Sequence, residues 1–282
     1  KRKQNLIIPI IAVSIIFTFH FIGANKLENS INEYKNIKLR LVQPNIVQRE
    51  KWQENLKYKN FMKHYALSKY DGFDEIDLFI WPETALTYTS SKEISNRDAL
   101  HDILDNDSLL ITGMPRAIFY NNETNKVKLY NSIVIFNKNL NIIDTYNKFH
   151  LVPFGEYLPF RKFFDYFGFS KIVFGAIDYS RGTGPKTIKL DKLPSFSPLI
   201  CFEAIFPGEV VNPKDRPQWL LSLSNDAWFG NFAGPWQHFE MAKIRSIEEG
   251  LPLIRVSNTG ISAVIDSYGR TLKSLPYGKF GI

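Results

Sequence analysis

Residues 198–208 read Pro-Leu-Ile-Cys-Phe-Glu-Ala-Ile-Phe-Pro-Gly, and in this stretch an apolar run stops abruptly at groups that can do chemistry. The run ends at Cys201, Glu203 follows two residues later, and the Pro-Gly pair terminates the strand. Such a strand-to-turn junction exposes a side chain at the sheet edge, where α/β folds bind ligands. A lone cysteine ending a strand is also a common inert core residue, so this string alone leaves both interpretations open.

Runs of similar character recur along the chain and predict its architecture. Helical spacing separates some of them, notably over 52–70 and 236–249. Neighbouring runs such as 131–136 and 142–146 are joined by too few residues for a crossover helix, which predicts antiparallel hairpins within the sheets. The interleaving predicts a layered α/β domain over 37–282. The predicted strands are 37–43, 78–81, 109–113, 131–136, 142–146, 199–202, 220–224, 253–257 and 262–266.

Composition excludes several classes of protein. A hydrophobic content of 44% is too rich for a disordered chain, and 282 residues permit one large domain or two ordinary ones. The single cysteine excludes an intrachain disulfide and any cysteine cage for zinc or iron–sulfur clusters. The histidines lack metal-binding spacing and no phosphate-binding loop is present, so we expect neither a metal nor a cofactor. The net charge is +7, but the lysines are scattered along the chain rather than clustered on one element, so we expect no nucleic-acid partner.

The N-terminal residues point to a membrane. Leu6–Ala24 carry no formal charge, and 19 residues of helix span about 28 Å, close to the thickness of a bilayer core. Lys1, Arg2 and Lys3 precede this run, and the positive-inside rule places them in the cytoplasm. We therefore predict a transmembrane helix over 1–24, a polar linker over 25–36 and a following domain on the outer side. A secretory signal peptide and a buried core helix remain alternatives.

An aromatic segment interrupts the regular pattern. Residues 154–174 contain seven Phe and two Tyr, separated by glycine and proline. This composition favours either a loop packed into the core or an arm whose rings enter the lipid interface beside Arg161 and Lys162.

A thiol nucleophile needs a base and a group that stabilises negative charge, and two further strand ends offer them. Glu83 follows the apolar run 78–81 after a proline, and Lys148 follows the run 142–146. Taken singly, Glu83 is readily a loop acid and Lys148 a solvated edge charge. Because strand ends of one α/β domain can converge, Glu83, Lys148 and Cys201 together predict a catalytic site.

The strings that carry these residues resemble the carbon–nitrogen hydrolase (nitrilase) superfamily. They are Trp81-Pro82-Glu83, the run 146–157 (YNKFHLVPFGEY) and Ile200-Cys201-Phe202-Glu203. The strings PFGEYLP at 153–159, NDAWFG at 225–230 with Gln237-His238, and RVSNTG at 255–260 narrow the resemblance to the apolipoprotein N-acyltransferases. The resemblance implies an α-β-β-α sandwich over 37–282 and a Glu83–Lys148–Cys201 triad.

Further roles follow from the same resemblance. Glu156 is implied as an additional catalytic carboxylate, and four residues are implied in substrate binding: Trp52, Phe202, Glu203 and Trp236. The implied reaction moves a fatty acyl chain from a membrane phospholipid, through a cysteine thioester, to the α-amino group of the diacylglyceryl-cysteine of an apolipoprotein. Its implied location is the bacterial inner membrane, with the catalytic domain on the periplasmic side.

Two other classes of function stay open at this point. A soluble or membrane-anchored amidase would use the same triad to hydrolyse a small amide. A membrane-anchored binding protein would carry the fold without the chemistry. The resemblance also implies further membrane helices around the catalytic domain and a C-terminal continuation of that domain, so we expect little acyl transfer from residues 1–282 alone.

Overall fold

The computed structural model describes residues 4–28, 37–104, 107–120, 126–160, 178–191 and 193–282. The chain divides into two compact units, Lys1–Lys35 and Asn36–Ile282. In the first unit, helix α1 spans Gln4–Glu28. Its segment Leu6–Glu28 is long and apolar enough to cross a membrane, because 23 helical residues extend about 35 Å.

The second unit contains two β-sheets, and the first has the strand order β1-β2-β3-β4-β5. Strands β1, β2 and β3 run parallel to one another, whereas β4 and β5 continue the sheet as antiparallel hairpins. The five strands are β1 (Leu39–Leu41), β2 (Leu78–Ile80), β3 (Leu109–Tyr120), β4 (Lys126–Phe136) and β5 (Ile142–Asn147).

The second sheet has the strand order β11-β10-β9-β8-β7-β6. Its central strands β7, β8 and β9 are parallel, and antiparallel strands complete both edges. The six strands are β6 (Ile188–Leu190), β7 (Leu193–Ile200), β8 (Trp219–Ser224), β9 (Leu253–Ser257), β10 (Ser262–Ile265) and β11 (Thr271–Leu275).

The two sheets stack face to face, with helices on their outer surfaces. One apolar cluster joins both sheets and contains Ile80 and Ile133 from the first and Ile200 from the second. A second cluster covers the outer face of the first sheet with helices α2 (Lys57–Ser68) and α3 (Arg97–Ile103). A third covers the outer face of the second sheet with helix α4 (Gly234–Glu249). These layers confirm the predicted α-β-β-α sandwich.

Strand β2 shows why the run 78–81 is apolar at every position. Leu78 and Ile80 face the opposite sheet, while Phe79 and Trp81 face the outer helices, so both faces of the strand are buried. A strand buried on both faces gives a continuous apolar run rather than an alternating one. The predicted hairpin of residues 131–136 with 142–146 is confirmed as the β4–β5 pair.

The structure departs from the sequence predictions mainly at sheet edges. Strands β6 and β11 and helix α3 were not predicted, and the helix predicted over 52–70 begins only at Lys57, after two short 3₁₀ turns. The aromatic segment 154–174 lies largely outside the described residues, so neither interpretation of it is tested.

Candidate active site

Three predicted catalytic residues lie immediately beyond strand ends. Glu83 follows β2 after Trp81 and Pro82, Lys148 directly follows β5, and Cys201 directly follows β7. All three are buried, and they line one cavity of about 500 Å³. Since β2 and β5 belong to one sheet and β7 to the other, the cavity lies where the two sheets end together.

The nucleophile candidate occupies an unusual backbone conformation. Cys201 has φ +50°, in the left-handed region that costs a residue with a Cβ about 1–2 kcal/mol. It opens a 3₁₀ turn, Cys201–Ile205, and the Glu203 carboxylate turns back to accept a hydrogen bond from Ile200 N at 2.7 Å. A strained conformation persists only where its surroundings hold it, so the contacts of this turn are part of the site.

The other oxygen of Glu203 connects this turn to the segment around Lys148. Oε1 accepts hydrogen bonds from the Tyr146 hydroxyl at 2.6 Å, from Phe149 N at 2.7 Å and from His150 N at 3.2 Å. Burial raises the pKa of Glu203, although these donors oppose the shift. Glu203 does not line the cavity, so its carboxylate contacts the protein itself rather than a ligand there.

Lys148 is held by two carboxylates. Its Nζ lies 2.9 Å from Glu156 Oε2 and 3.8 Å from Glu83 Oε1. Asn131 bridges the same carboxylates, because its Nδ2 donates to Glu83 Oε1 at 2.8 Å and to Glu156 Oε1 at 2.7 Å. Burial alone would lower the pKa of Lys148, but the negative charges of Glu156 and Glu83 outweigh it, and the net shift is upward. Lys148 is therefore an ammonium at neutral pH.

Glu83 presents one carboxylate oxygen without a partner. Oε2 is buried and accepts no hydrogen bond from any residue that the structure describes. The Glu83 backbone is fixed from two sides. Lys51 Nζ donates to its carbonyl oxygen at 2.8 Å, and a Cβ on Gly113 would overlap its main chain. A buried carboxylate oxygen with no donor is suited to accept a proton from a neighbouring group.

The cysteine and the lysine have distinct protonation states at rest. Burial, together with the charge of Glu83, raises the pKa of the Cys201 thiol to about 12. The resting site therefore contains a neutral thiol beside an ammonium and two carboxylates. Attack by sulfur then requires removal of the proton during the reaction, which is the function of a general base.

This thiol gives a testable pH dependence. Only the thiolate is alkylated, so the iodoacetamide rate should rise about tenfold per pH unit from pH 7 to 10 without levelling off. The iodoacetamide rate of the same cysteine in the urea-unfolded chain should level off above about pH 9, near the ordinary pKa of a thiol. Because the chain has one cysteine, both curves report on Cys201. A plateau below pH 9 in the folded chain would contradict the raised pKa.

The residues predicted to bind substrate divide into two groups. Trp52 and Phe202 line the cavity, as Glu156 does. Trp236 is not among its lining residues and instead packs on Tyr277, with ring centroids 5.0 Å apart. Its neighbour Gln237 does line the cavity.

Sequence reasoning missed several residues of the site. Asn131 and Lys51 contact the carboxylates or their backbone, and Tyr179 and Met241 line the cavity. Asn131 lies within a predicted strand. Nothing in the sequence distinguishes an asparagine at the sheet edge from one whose amide bridges two carboxylates. Lys51 directly precedes Trp52, which was predicted to bind substrate, and this position was the signal that could have identified it.

Behind Cys201 lies a buried charged network. Asp226 and Arg255 form an ion pair at 2.8 Å, and both are fully buried. His238 Nδ1 lies 2.8 Å from Asp226 Oδ1, and His238 Nε2 lies 3.0 Å from the Cys201 carbonyl oxygen. Ligand atoms of Cys201, Asp226 and His238 fall within 4.8 Å of one another, the spacing of a metal site. Arg255 already neutralises the carboxylate, which does not suit a cation, and we assign no metal here.

The stacked sheets and their buried Cys–Lys–Glu cluster define a class of protein. The chain belongs to the carbon-nitrogen hydrolase family, which matches residues 38–282. The fold agrees with solved structures. It matches Saccharomyces cerevisiae Nit3 of the nitrilase superfamily with a TM-score of 0.57 and 18% identity, over 86% of this chain and 87% of that one. The match to the carbon-nitrogen hydrolase of Helicobacter pylori has a TM-score of 0.57 and 16% identity, over 86% of each chain.

Curated relatives narrow the comparison. The chain is 38% identical to the apolipoprotein N-acyltransferase of Bradyrhizobium diazoefficiens over 97% of this chain and 52% of the relative. It is 39% identical to the apolipoprotein N-acyltransferase of Rickettsia bellii over 98% of this chain and 53% of that relative. These similarities confirm the predicted resemblance. The chain spans about half the length of the curated relatives it matches.

Proposed function

We propose that this chain carries the catalytic site of an apolipoprotein N-acyltransferase. The observation that carries the proposal is the convergence of Glu83, Lys148 and Cys201 on one cavity, in a chain similar to enzymes of that name. The acyl donor would be a membrane phospholipid, and the acceptor the diacylglyceryl-cysteine at the N-terminus of an apolipoprotein.

In the proposed first half-reaction, Glu83 removes the thiol proton as Cys201 Sγ attacks the ester carbonyl carbon. The developing oxyanion is stabilised by the Lys148 ammonium and by backbone donors. When the tetrahedral intermediate collapses, the ester C–O bond breaks, and the leaving alkoxide takes the proton from Glu83. The products are a lysophospholipid and a thioester on Cys201.

In the second half-reaction the α-amino group of the diacylglyceryl-cysteine attacks the thioester carbonyl. Glu83 takes a proton from the amine, the C–S bond breaks, and Glu83 passes that proton to the Cys201 thiolate. An amide forms on the lipoprotein, and the free thiol is restored. Because one product leaves before the second substrate reacts, ping-pong kinetics are expected.

Other residues support these steps without touching the reacting atoms. Glu156 and Asn131 hold Lys148 and Glu83 in one hydrogen-bonded group, and we propose that they position both. The contacts of Glu203 suggest positioning of the turn at Cys201 rather than the substrate binding that the resemblance implies. A binding role for Trp236 stays a prediction.

The walls of the cavity suit an acyl chain. Apolar and aromatic side chains cover much of its surface, and a fatty acyl group buried there would be removed from water. Two of them, Trp52 and Phe202, were predicted from the sequence. The wall residues of this kind are Trp52, Phe202, Ile205, Trp228, Phe229 and Met241.

We further propose that helix α1 spans the bacterial inner membrane and that 37–282 form a catalytic domain on the periplasmic side. The predicted boundary between membrane helix and linker at residue 24 is wrong, because α1 continues through Glu28. The length of the apolar helix supports the span, and the basic residues before it support the orientation.

The transfer reaction is tested by incubating the chain with phosphatidylethanolamine vesicles and a synthetic diacylated lipopeptide. Mass spectrometry should show a transient acyl adduct on Cys201, whereas little acyl transfer to the lipopeptide is expected from residues 1–282 alone. Because the matched relatives are about twice as long, the assay is repeated with a chimera in which residues 37–282 replace the matching segment of the Bradyrhizobium relative, and with this chimera the lipopeptide should gain one fatty acyl chain. Hydrolysis of small amides without either acyl product would favour the amidase alternative.

A further inference from the structure

We propose that His238 is a positioning residue that fixes the nucleophile through the main chain of Cys201. The inference rests on the proposed function, since it takes Cys201 to be the nucleophile. His238 lies on the first turns of helix α4, opposite the 3₁₀ turn that begins at Cys201. A ring nitrogen lies within 4.8 Å of the sulfur, but both ring nitrogens have other hydrogen-bond partners, so we do not assign His238 as the base.

The partners of the imidazole determine which nitrogen carries a proton. A carbonyl oxygen can only accept, so Nε2, 3.0 Å from the Cys201 oxygen, is a donor. Nδ1 faces both Asp226 Oδ1 at 2.8 Å and Arg255 Nη2 at 3.1 Å. Whether Nδ1 hydrogen-bonds to Asp226 or to Arg255, Nε2 is the nitrogen that donates to the Cys201 carbonyl oxygen.

The imidazole is in turn held by a rigid base. The Asp226 carboxylate accepts hydrogen bonds from the Ser224 hydroxyl at 2.7 Å and the Ser257 hydroxyl at 3.2 Å, in addition to its ion pair with Arg255. A Cβ on Gly260 would overlap the same carboxylate, so the main chain there packs directly against it. A fully buried and fully bonded carboxylate moves little, and it transmits that rigidity to the ring.

Fixing this carbonyl has two consequences for the reaction. It holds Cys201 at φ +50°, which sets the direction of the Cα–Cβ bond and therefore of Sγ. It also sets the orientation of the next peptide plane. In a trans peptide the C=O and N–H point in opposite directions, so the N–H of Phe202 is fixed together with the carbonyl of Cys201. One hydrogen bond thus positions both the nucleophile and the backbone donor beside it.

Two isosteric substitutions separate this role from simple packing. In His238→Asn the amide nitrogen takes the place of Nδ1, which retains a partner for Asp226 and removes the donor to Cys201. In His238→Gln the amide nitrogen takes the place of Nε2, which retains the donor to Cys201 and removes the partner of Asp226. The matched pair therefore removes one bond at a time.

The test is the burst of p-nitrophenolate released from p-nitrophenyl acetate by the full chain, which reports acylation of Cys201 without needing a membrane. H238N should acylate about tenfold to about a hundredfold more slowly, as expected for a misplaced nucleophile. Its half-saturating ester concentration should change by less than about threefold. H238Q should acylate within about threefold of the unsubstituted chain. Equal rates for H238N and H238Q, or a larger loss in H238Q, would overturn the proposal.

A measurement without substitution covers the case in which a variant does not fold. Because the chain has one cysteine, labelling with [1-¹³C]cysteine gives a single carbonyl resonance. Coupling between that carbon and ¹⁵Nε2 of a labelled histidine is expected across the hydrogen bond, and its absence in the folded chain would overturn the proposal. Cys201→Ala separates the two hypotheses, since a burst that survives this change contradicts the nucleophile assignment and not the hydrogen bond.

Discussion

Replacement of Cys201 by alanine is expected to eliminate the acyl adduct on the chain and to lower acyl transfer by the chimera with the Bradyrhizobium relative by at least about 10⁴-fold. The proposed reaction passes through a thioester, and the chain has no second thiol that could take over this step. Intact-mass spectrometry after incubation with phospholipid should show one hydroxylamine-sensitive acyl group on the unsubstituted chain and none on C201A.

Cys201→Ser is the control for shape. It retains a nucleophile of similar size but one that is harder to deprotonate, so it should form a stable oxygen ester slowly or not at all. Both variants should melt within about 5 °C of the unsubstituted chain, because neither removes a charge or a large apolar group. A hydroxylamine-sensitive adduct on C201A would show that another residue is acylated.

The layers and the three candidate catalytic residues were predictable because they depend on local features. A strand buried on both faces is a continuous apolar run, and residues 78–81 have that character. A polar residue that ends such a run lies at a sheet edge whatever the topology. This is why Glu83 and Cys201 stand out in the sequence, whereas Lys148 follows a partly exposed strand and was indicated by the family resemblance of residues 146–157.

The direction of a side chain after a strand end was not predictable. Glu83 and Glu203 both follow apolar strands closely, yet Glu83 faces the cavity while Glu203 turns back onto backbone amides. The 3₁₀ turn after β7 places the Glu203 carboxylate over the amide of Ile200, and this depends on the turn rather than on residue type. The bridging role of Asn131 likewise arises only when β4 brings it between two acids distant in sequence.

The edges of the second sheet were missed for a related reason. Strand β11, Thr271–Leu275, is exposed along nearly its whole length and contains a lysine, so it lacks the apolar signal of the central strands. Its structure depends on pairing with β10, which is a tertiary effect.

Replacement of Lys148 by methionine is expected to abolish acylation and to destabilise the domain. The change removes the cation that would stabilise the oxyanion, so the p-nitrophenyl acetate burst should fall at least about 10³-fold. It also leaves Glu83 and Glu156 buried without a counter-charge, and breaking a buried ion pair costs about 3–5 kcal/mol. Urea unfolding at pH 7 measures that loss.

The pH dependence of K148M follows from the same geometry. Without the ammonium, the folded state favours protonation of a carboxylate more than the unfolded state does, so stability increases as protons are added. The deficit relative to the unsubstituted chain should therefore narrow as the pH falls from 7 towards 5. A deficit independent of pH would indicate that lost packing, rather than unpaired charge, destabilises the variant.

The double variant K148M/E156Q separates the two functions of the lysine. Replacing Glu156 by its neutral isostere removes one of the two unpaired charges while retaining an oxygen that can accept from Asn131. Stability should recover by at least about half of the K148M loss, since the remaining carboxylate of Glu83 still receives a hydrogen bond from Asn131. Acylation should not recover, because neither substitution restores a cation beside the reacting carbonyl. Recovery of both would mean that Lys148 only neutralises the acids, and the oxyanion would then depend on backbone donors alone.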